Sequence, residues 1–357
     1  MKPIKVICVD DSPSMRQFLK AALEQDNKIQ VVDLASDPYD AREKIKHHNP
    51  DVITLDVKMP KMDGLTFLDK IMQLRPMPVV MVSSQTVKGA DDTFTALEKG
   101  ACDYLAKPFD PQLLDEFVEL LISKVKAASL INLTALNKKR VQKKSTHKAQ
   151  MRSYLARLKV QSQIKLIAIG ASTGGTEAIK HIIMSTSLNG PPIVITQHMP
   201  PIFSRSYAER LDKLLPVPVK EVSGTTKLEF GHIYIAPGDK HLLVKKVGSS
   251  LQVVLDNSPP VNRHKPSVDS LFYSAAEQIG GNSLGILLTG MGVDGAKGLL
   301  AIKECGGITI AQDKETSVVW GMPGTAVGIG AAVMTLGLDD IAKEITSLYQ
   351  PSLVVNA

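Results

Sequence analysis

The chain has 357 residues, 44% of them hydrophobic but only 4% aromatic, enough for two cored domains of aliphatic α/β type. No apolar run approaches the ~18 residues that cross a bilayer, and Asp10-Asp11 comes too early for a secretion signal. The net charge of +6 comes from one segment, since twelve cations and no acids between Leu120 and Lys165 leave the remainder at −6.

Ile4–Val9 is a short apolar run ending in Asp10-Asp11, followed by a helical pattern from Ser14 (Met15, Phe18, Leu19, Ala22, Leu23). Val52–Leu55 ends in Asp56, Val79–Val82 ends in Ser83-Ser84, and Asp103–Ala106 ends in Lys107-Pro108. Strands alternating with helices predict a parallel sheet covered on both faces. Every polar residue of interest then stands at the carboxyl end of a strand, where open α/β sheets place their sites. Crowded carboxylates repel unless a hard cation sits among them, so Mg²⁺ is expected beside Asp10, Asp11 and Asp56. Asp56 becomes a phosphoryl acceptor, with the Ser83 hydroxyl and the Lys107 cation facing the acyl phosphate. Strand-end Asp and Lys often merely cap helices; five matched positions argue against that here. Cys8, Cys102 and Cys305 are far apart and lack C-x-x-C spacing, and read as packed, reduced thiols of a cytosolic protein.

Asp10-Asp11, "DVKMPKMDG" around Asp56, Ser83 and Lys107-Pro108 together resemble a two-component receiver domain over about the first 120 residues. The resemblance implies phosphorylation of Asp56 by a histidine kinase. It implies Mg²⁺ held by Asp11, Asp56 and the Lys58 carbonyl, with Asp10 acting through water. It also implies a switch in which Ser83 and Tyr104 rearrange, and a cis Lys107–Pro108 peptide.

A last receiver helix is expected over Glu116–Ala128, and beyond it the chain turns polar and basic until Gln163. That segment reads as a solvated linker rather than a nucleic-acid surface. Ile164–Ile169 then forms an apolar strand that stops at Gly170-Ala171-Ser172-Thr173-Gly174-Gly175, with a helical pattern following at once. Gly170-x-Ser172-x-Gly174 fits a nucleophile elbow, in which small neighbours admit a strained turn. Gly-rich turns of this kind more often cradle phosphate, so the serine needs partners before it counts as a nucleophile. Two follow. Ile193–Thr196 ends in Gln197-His198, and Ser283–Leu288 ends in Thr289-Gly290-Met291-Gly292-Val293-Asp294. Ser172, His198 and Asp294 thus share the carboxyl edge of one sheet, as a Ser-His-Asp triad requires. The order Ser…His…Asp differs from the Ser…Asp…His of α/β-hydrolases, so that fold does not come with the elbow. His181, His232, His241 and His264 are read as surface or hydrogen-bonded histidines.

"GASTGG", "QHMP", "GHIYIAPGDKH", "PSVDSLF", "TGMGVDGAKGL" and "VVWGMPGTA" resemble the protein-glutamate methylesterase domain of bacterial chemotaxis. With the receiver, the resemblance spans nearly the whole chain. It implies hydrolysis of glutamate methyl esters on methyl-accepting chemoreceptors and deamidation of certain receptor glutamines, with Ser172, His198 and Asp294 at the catalytic positions. Backbone N–H groups near Thr173 and Met291 are the candidate oxyanion donors.

The expected architecture is α/β: two doubly wound parallel-sheet domains, a flavodoxin-like receiver and a Rossmann-like esterase domain, joined by a basic linker. Limits are placed at 1–122, 123–162 and 163–350. Mg²⁺ at the receiver is the one cofactor expected; the esterase needs none. Expected partners are chemoreceptors and a kinase, with no nucleic acid and no membrane insertion, in the cytoplasm. A DNA-binding output is disfavoured by some 190 residues of βα pattern after the linker. A dinucleotide site is disfavoured because G-x-G-x-x-G and its distal acid are lacking.

Overall fold

The structure is a computed structural model describing residues 2–83, 87–108, 110, 114–131 and 164–349. The chain divides into two compact units, Met1–Lys138 and Lys139–Ala357. Most of the predicted linker, residues 132–163, lies outside the described residues.

In the first unit, strands β1 (Ile4–Val9), β2 (Ile29–Ala35), β3 (Val52–Asp56), β4 (Val79–Ser83) and β5 (Asp103–Ala106) alternate with helices. The helices are α1 (Pro13–Leu23), α2 (Pro38–His48), α3 (Gly64–Leu74), α4 (Val87–Glu98) and α5 (Leu114–Ser129). Side-chain caps or prolines start α1, α2 and α3. Asp37 and Asp63 accept N–H bonds at the N-termini of α2 and α3, and Pro13 and Pro38 occupy first-turn positions where no N–H is needed. The sheet order is β2-β1-β3-β4-β5 with every pair parallel, and every residue of β3 and β4 is buried. Both faces are therefore covered, and the order reverses between β1 and β3. That reversal opens a crevice at the strand ends carrying Asp10 and Asp56.

The second unit holds a parallel seven-stranded sheet of order β15-β14-β13-β6-β7-β10-β8. Its strands are β6 (Leu166–Ala171), β7 (Ile193–Gln197), β8 (Val219–Glu221), β10 (Ile233–Ile235), β13 (Ser283–Leu287), β14 (Ile308–Gln312) and β15 (Met334–Leu336). Around them pack α6 (Gly175–Met184), α7 (Pro201–Leu214), α8 (Val268–Ile279), α9 (Ala296–Glu304), α10 (Met322–Gly328) and α11 (Leu338–Tyr349). The switch point lies between β6 and β13, the strands that precede Ser172 and Asp294.

A feature beyond the βα alternation is the antiparallel sheet β11-β12-β9, built from His241–Val247, Ser250–Asp256 and Thr226–Lys227. Gly248, at φ +58°, turns β11 into β12. Val244 N–H donates to Ser274 Oγ at 2.9 Å and Lys246 N–H to Gln278 Oε1 at 3.1 Å, so α8 side chains satisfy part of this strand's edge. Leu242, Val244 and Val253 join Phe272 and Leu271 in one core.

Two expectations are corrected. Lys107–Pro108 is not cis; the cis X–Pro bond among the described residues is Lys265–Pro266. The Lys107 ammonium reaches its carboxylates from the trans isomer, which X–Pro bonds prefer by about 0.5–1 kcal/mol. Cys8 and Cys102 are packed, and burial pushes each thiol up to about 12, but Cys305 at the end of α9 is exposed. No described helix is long and apolar enough to cross a membrane.

Candidate active site and phosphoacceptor site

Ser172 follows the last residue of β6, half-buried at the switch point. Its N–H donates to Thr289 O at 3.0 Å, tying the turn to the loop after β13. The left-handed residue is Gly174, at φ +76° and capping α6, whereas Ser172 has no positive φ. Gly170 serves a different end. A Cβ there would fall 2.0 Å from Val268 Cγ1, so glycine lets the first residue of α8 sit directly on β6. Gly290 is constrained in the same way, because a Cβ would meet Met322 Sδ at 2.3 Å and Ser172 Cβ at 2.8 Å.

Ala171 pairs with Gln197 across β6 and β7, and His198 N–H donates to Ala171 O at 3.2 Å. The register thus sets Ser172 and His198 side by side at the strand ends. Their side chains carry no mutual bond in this structure, and both are half-buried. His198 Nε2 lies 2.9 Å from Asp294 Oδ2. A carboxylate only accepts, so Nε2 carries a proton, and in the neutral ring Nδ1 is then the free acceptor. Nδ1 is buried and has no hydrogen-bond partner among the described residues.

Asp294, 1% exposed, accepts four further bonds. Oδ2 takes Val268 N–H at 2.7 Å; Oδ1 takes Asn262 Nδ2 at 2.8 Å, Ser267 Oγ at 2.8 Å and Asp269 N–H at 3.3 Å. Burial alone would push its carboxyl up. The bond and charge of His198, with Asn262 and Val268 N–H, outweigh that and hold it well below the usual carboxylate range. Asp294 thus also serves the start of α8, whose orphan N–H groups and dipole favour an anion.

Several of these residues escape sequence reasoning. Asn262, Ser267 and the first N–H groups of α8 matter only once the chain folds back over Asp294; "PSVDSLF", with a serine ahead of an apolar helix, was the available signal. Buried Gln197 donates from Nε2 to Ser172 O at 2.9 Å and His198 O at 3.3 Å, clamping both turns. Thr289 Oγ donates to Thr173 O at 2.9 Å. Thr173 and Met291 flank this junction, next in sequence to Ser172 and Gly290. Of the histidines set aside, His241 is a satisfied core residue between Ser267 N–H and Pro259 O, and His181 pairs with Asp339. His232 bonds to Phe230 O. His264 differs, its ring stacking on His198 at 3.8 Å between centroids.

In the first unit, Asp10, Asp11 and Asp56 bring carboxylate oxygens within 4.8 Å of one another. Lys107 Nζ lies 2.7 Å from Asp56 and 2.8 Å from Asp10. Burial, aided by Asp10's charge, raises the Asp56 carboxyl despite the opposing bond from Lys107. Three clustered acids, only two of them paired with the lysine, suit a hard divalent cation. Lys58 is exposed in the loop two residues past Asp56. Ser83 is buried, its hydroxyl donating to Gly89 O at 3.2 Å. Tyr104 is buried too, against Phe94 at 6.3 Å between ring centroids, and burial holds its phenol well above the usual value.

Residues 6–119 match the response regulator receiver domain and residues 167–345 the CheB methylesterase family. A protein-glutamate methylesterase/protein-glutamine glutaminase of Hydrogenovibrio crunogenus is 46% identical, covering 98% of this chain and all of the relative. The protein of that name in Salmonella typhimurium is also 46% identical, over 97% of each chain. The crystal structure of the Thermotoga maritima CheB methylesterase catalytic domain superposes with a TM-score of 0.50 at 40% identity, covering 52% of this chain and 98% of that one.

The Asp294 environment yields a stability prediction. Asp294→Asn keeps the size but aims an NH₂ group at a cluster of donors, and should cost about 2–3 kcal/mol. Because the folded carboxyl lies below its unfolded value of about 3.9, the contribution is complete above that pH and fades as pH falls toward the folded value. The gap between wild type and variant should therefore be constant from about pH 5 to 8 and shrink below about pH 4. Trp320, the one tryptophan of the chain, reports unfolding of this unit by fluorescence. A gap that widens in acid would contradict the assignment.

Proposed function

The chain belongs to the protein-glutamate methylesterase/protein-glutamine glutaminase family, and from that premise we propose that Ser172, His198 and Asp294 carry its hydrolysis. It is a phosphorylation-regulated hydrolase of chemotaxis signalling, which demethylates glutamate methyl esters on chemoreceptors and deamidates receptor glutamines. The observation that carries the residue assignment is the bare, buried Nδ1 of His198 at the same sheet edge as Ser172, with Nε2 fixed on Asp294.

Ser172 Oγ attacks the substrate γ-carbonyl as His198 Nδ1 takes its proton, and Asp294 stabilises the imidazolium. The oxyanion is received by N–H groups at Thr173 and Met291, close to the start of α6. The protonated imidazole gives its proton to departing methanol, or to ammonia from a glutamine. A water activated by Nδ1 then hydrolyses the glutamyl-serine ester and restores Ser172. The division into 1–122, 123–162 and 163–350, and a cytoplasmic location, belong to this proposal.

Asp56 receives the phosphoryl group from a histidine kinase. Asp10, Asp11 and Asp56, with the Lys58 carbonyl, would hold Mg²⁺, which supplies charge neutralisation at the phosphoryl oxygens. Lys107 bonds the acyl phosphate in place of the Asp56 carboxylate, and Ser83 and Tyr104 respond as the switch. Since Tyr104 is already buried, the larger adjustment falls to the Ser83 hydroxyl, which must leave Gly89 O.

Two experiments test this reading. Ser172→Ala should fold normally and release methanol from methylated receptors at least ~10³-fold more slowly; turnover near wild type would remove Ser172 from the reaction. Acetyl phosphate should raise methanol release by the wild-type chain roughly 5- to 150-fold, the span of a 1–3 kcal/mol coupling. Asp56→Asn should not respond to it. An undiminished response in that variant would place the phosphoryl group elsewhere.

A further inference from the structure

His264 enters the site from a turn that the rest of the reaction does not explain. Val261 and His264 exchange backbone bonds, Val261 N–H to His264 O at 3.1 Å and His264 N–H to Val261 O at 2.9 Å. Between them Asn262 and Arg263 are both left-handed, at φ +51° and +67°. Neither is glycine, and consecutive residues in that region persist only where their surroundings hold them. The anchor is Asn262, whose Nδ2 bonds Asp269 Oδ2 at 2.7 Å and Asp294 Oδ1 at 2.8 Å. One carboxylate therefore holds both the His198 ring, through Nε2, and the turn that carries His264. The product is a flat stack of the two imidazoles, centroids 3.8 Å apart and planes 16° from parallel.

The stack matters because His198 is otherwise held at one atom. Nε2 is bonded to Asp294, but Nδ1 has no partner among the described residues, so the ring remains free to swing about its single bond. A second ring against its face blocks that swing. A stacked pair cannot exchange an in-plane N–H bond, which excludes His264 as a relay or as a substitute base. What the face offers is a rigid wall that keeps water off one side and a π surface that attracts positive charge.

We infer that His264 is a positioning residue for the hydrolysis, a stacking platform that fixes the plane of His198 and supports its imidazolium. The inference rests on the Ser172–His198–Asp294 reading. The platform acts through its face, so another flat ring should replace it. It also acts once substrate is bound, so its loss falls on kcat rather than KM.

The test uses the full-length protein, activated with acetyl phosphate, on membranes bearing methylated receptors. Methanol release is measured for wild type, His264→Ala, His264→Leu, His264→Phe and Ser172→Ala, normalised to folded protein by Trp320 fluorescence. Removing the ring should lower kcat roughly 3- to 30-fold with KM unchanged, and His264→Phe should recover most of the loss. The leucine variant stands in if the alanine variant does not fold. A wild-type kcat in both ring-less variants would overturn the inference, as would a change confined to KM. Phenylalanine no better than leucine would overturn it too, since a nitrogen rather than the face would then matter. Ser172→Ala keeps the two readings apart: an active Ser172→Ala sinks the triad itself. An inactive one beside an unimpaired His264→Ala sinks only the platform.

Discussion

Asp294 accepts bonds from the His198 ring, the Asn262 amide, the Ser267 hydroxyl and the N–H groups of Val268 and Asp269. A buried carboxylate is costly unless it is so compensated, and here the compensation assembles the site. The same oxygens that fix the His198 tautomer receive the first turn of α8 and tie down the strained 261–264 turn. Removing the charge would loosen three segments distant in sequence, which is why stability and catalysis are coupled at this residue. Asp269 answers the same arrangement. Burial raises its carboxyl, Gly298 N–H opposes that, and the nearby Asp294 charge pushes it up further.

That knot can form only because the backbones approach so closely. Gly170 clears the space for Val268 on β6, and Gly290 clears it for Ser172 and Met322. Behind both stands the sheet order, which reverses between β6 and β13 and leaves their carboxyl ends facing a common crevice. The receiver repeats the plan on a smaller scale, with its reversal between β1 and β3 and its acids at those strand ends. The two units differ in how they handle negative charge. The second surrounds one carboxylate with donors. The first leaves Asp10 and Asp56 to share one lysine with a third carboxylate, Asp11, close by, a surplus of negative charge suited to a divalent cation.

Both parallel sheets, and the positions of Asp56, Ser172, His198 and Asp294 at strand ends, were legible in the sequence. Asp56 ends such a run, Ser172 and His198 come just after theirs, and Asp294 lies in the loop that follows β13; a buried parallel strand leaves that trace. What was not legible depends on contacts between distant segments. Asn262 and His264 sit in an irregular turn with no periodicity, and nothing local distinguishes His264 from His241, which is an ordinary satisfied core histidine. The antiparallel β11-β12 hairpin sat inside a stretch read as βα alternation. The strained turn that the elbow pattern implies falls on one of its flanking glycines, Gly174, which takes the left-handed conformation. The cis reading of Lys107–Pro108 came with the receiver resemblance and the structure does not bear it out.

The central claim is that Asp294 fixes the proton of His198 on Nε2 and leaves Nδ1 bare for Ser172. Nitrogen-15 NMR of histidine-labelled full-length protein reads this directly. The account predicts a strongly deshielded proton bonded to His198 Nε2 and, in the neutral ring, a bare Nδ1, with the deshielding lost in Asp294→Ala. A proton on Nδ1 of the neutral ring, or a His198 signal unchanged when Asp294 is removed, would contradict it.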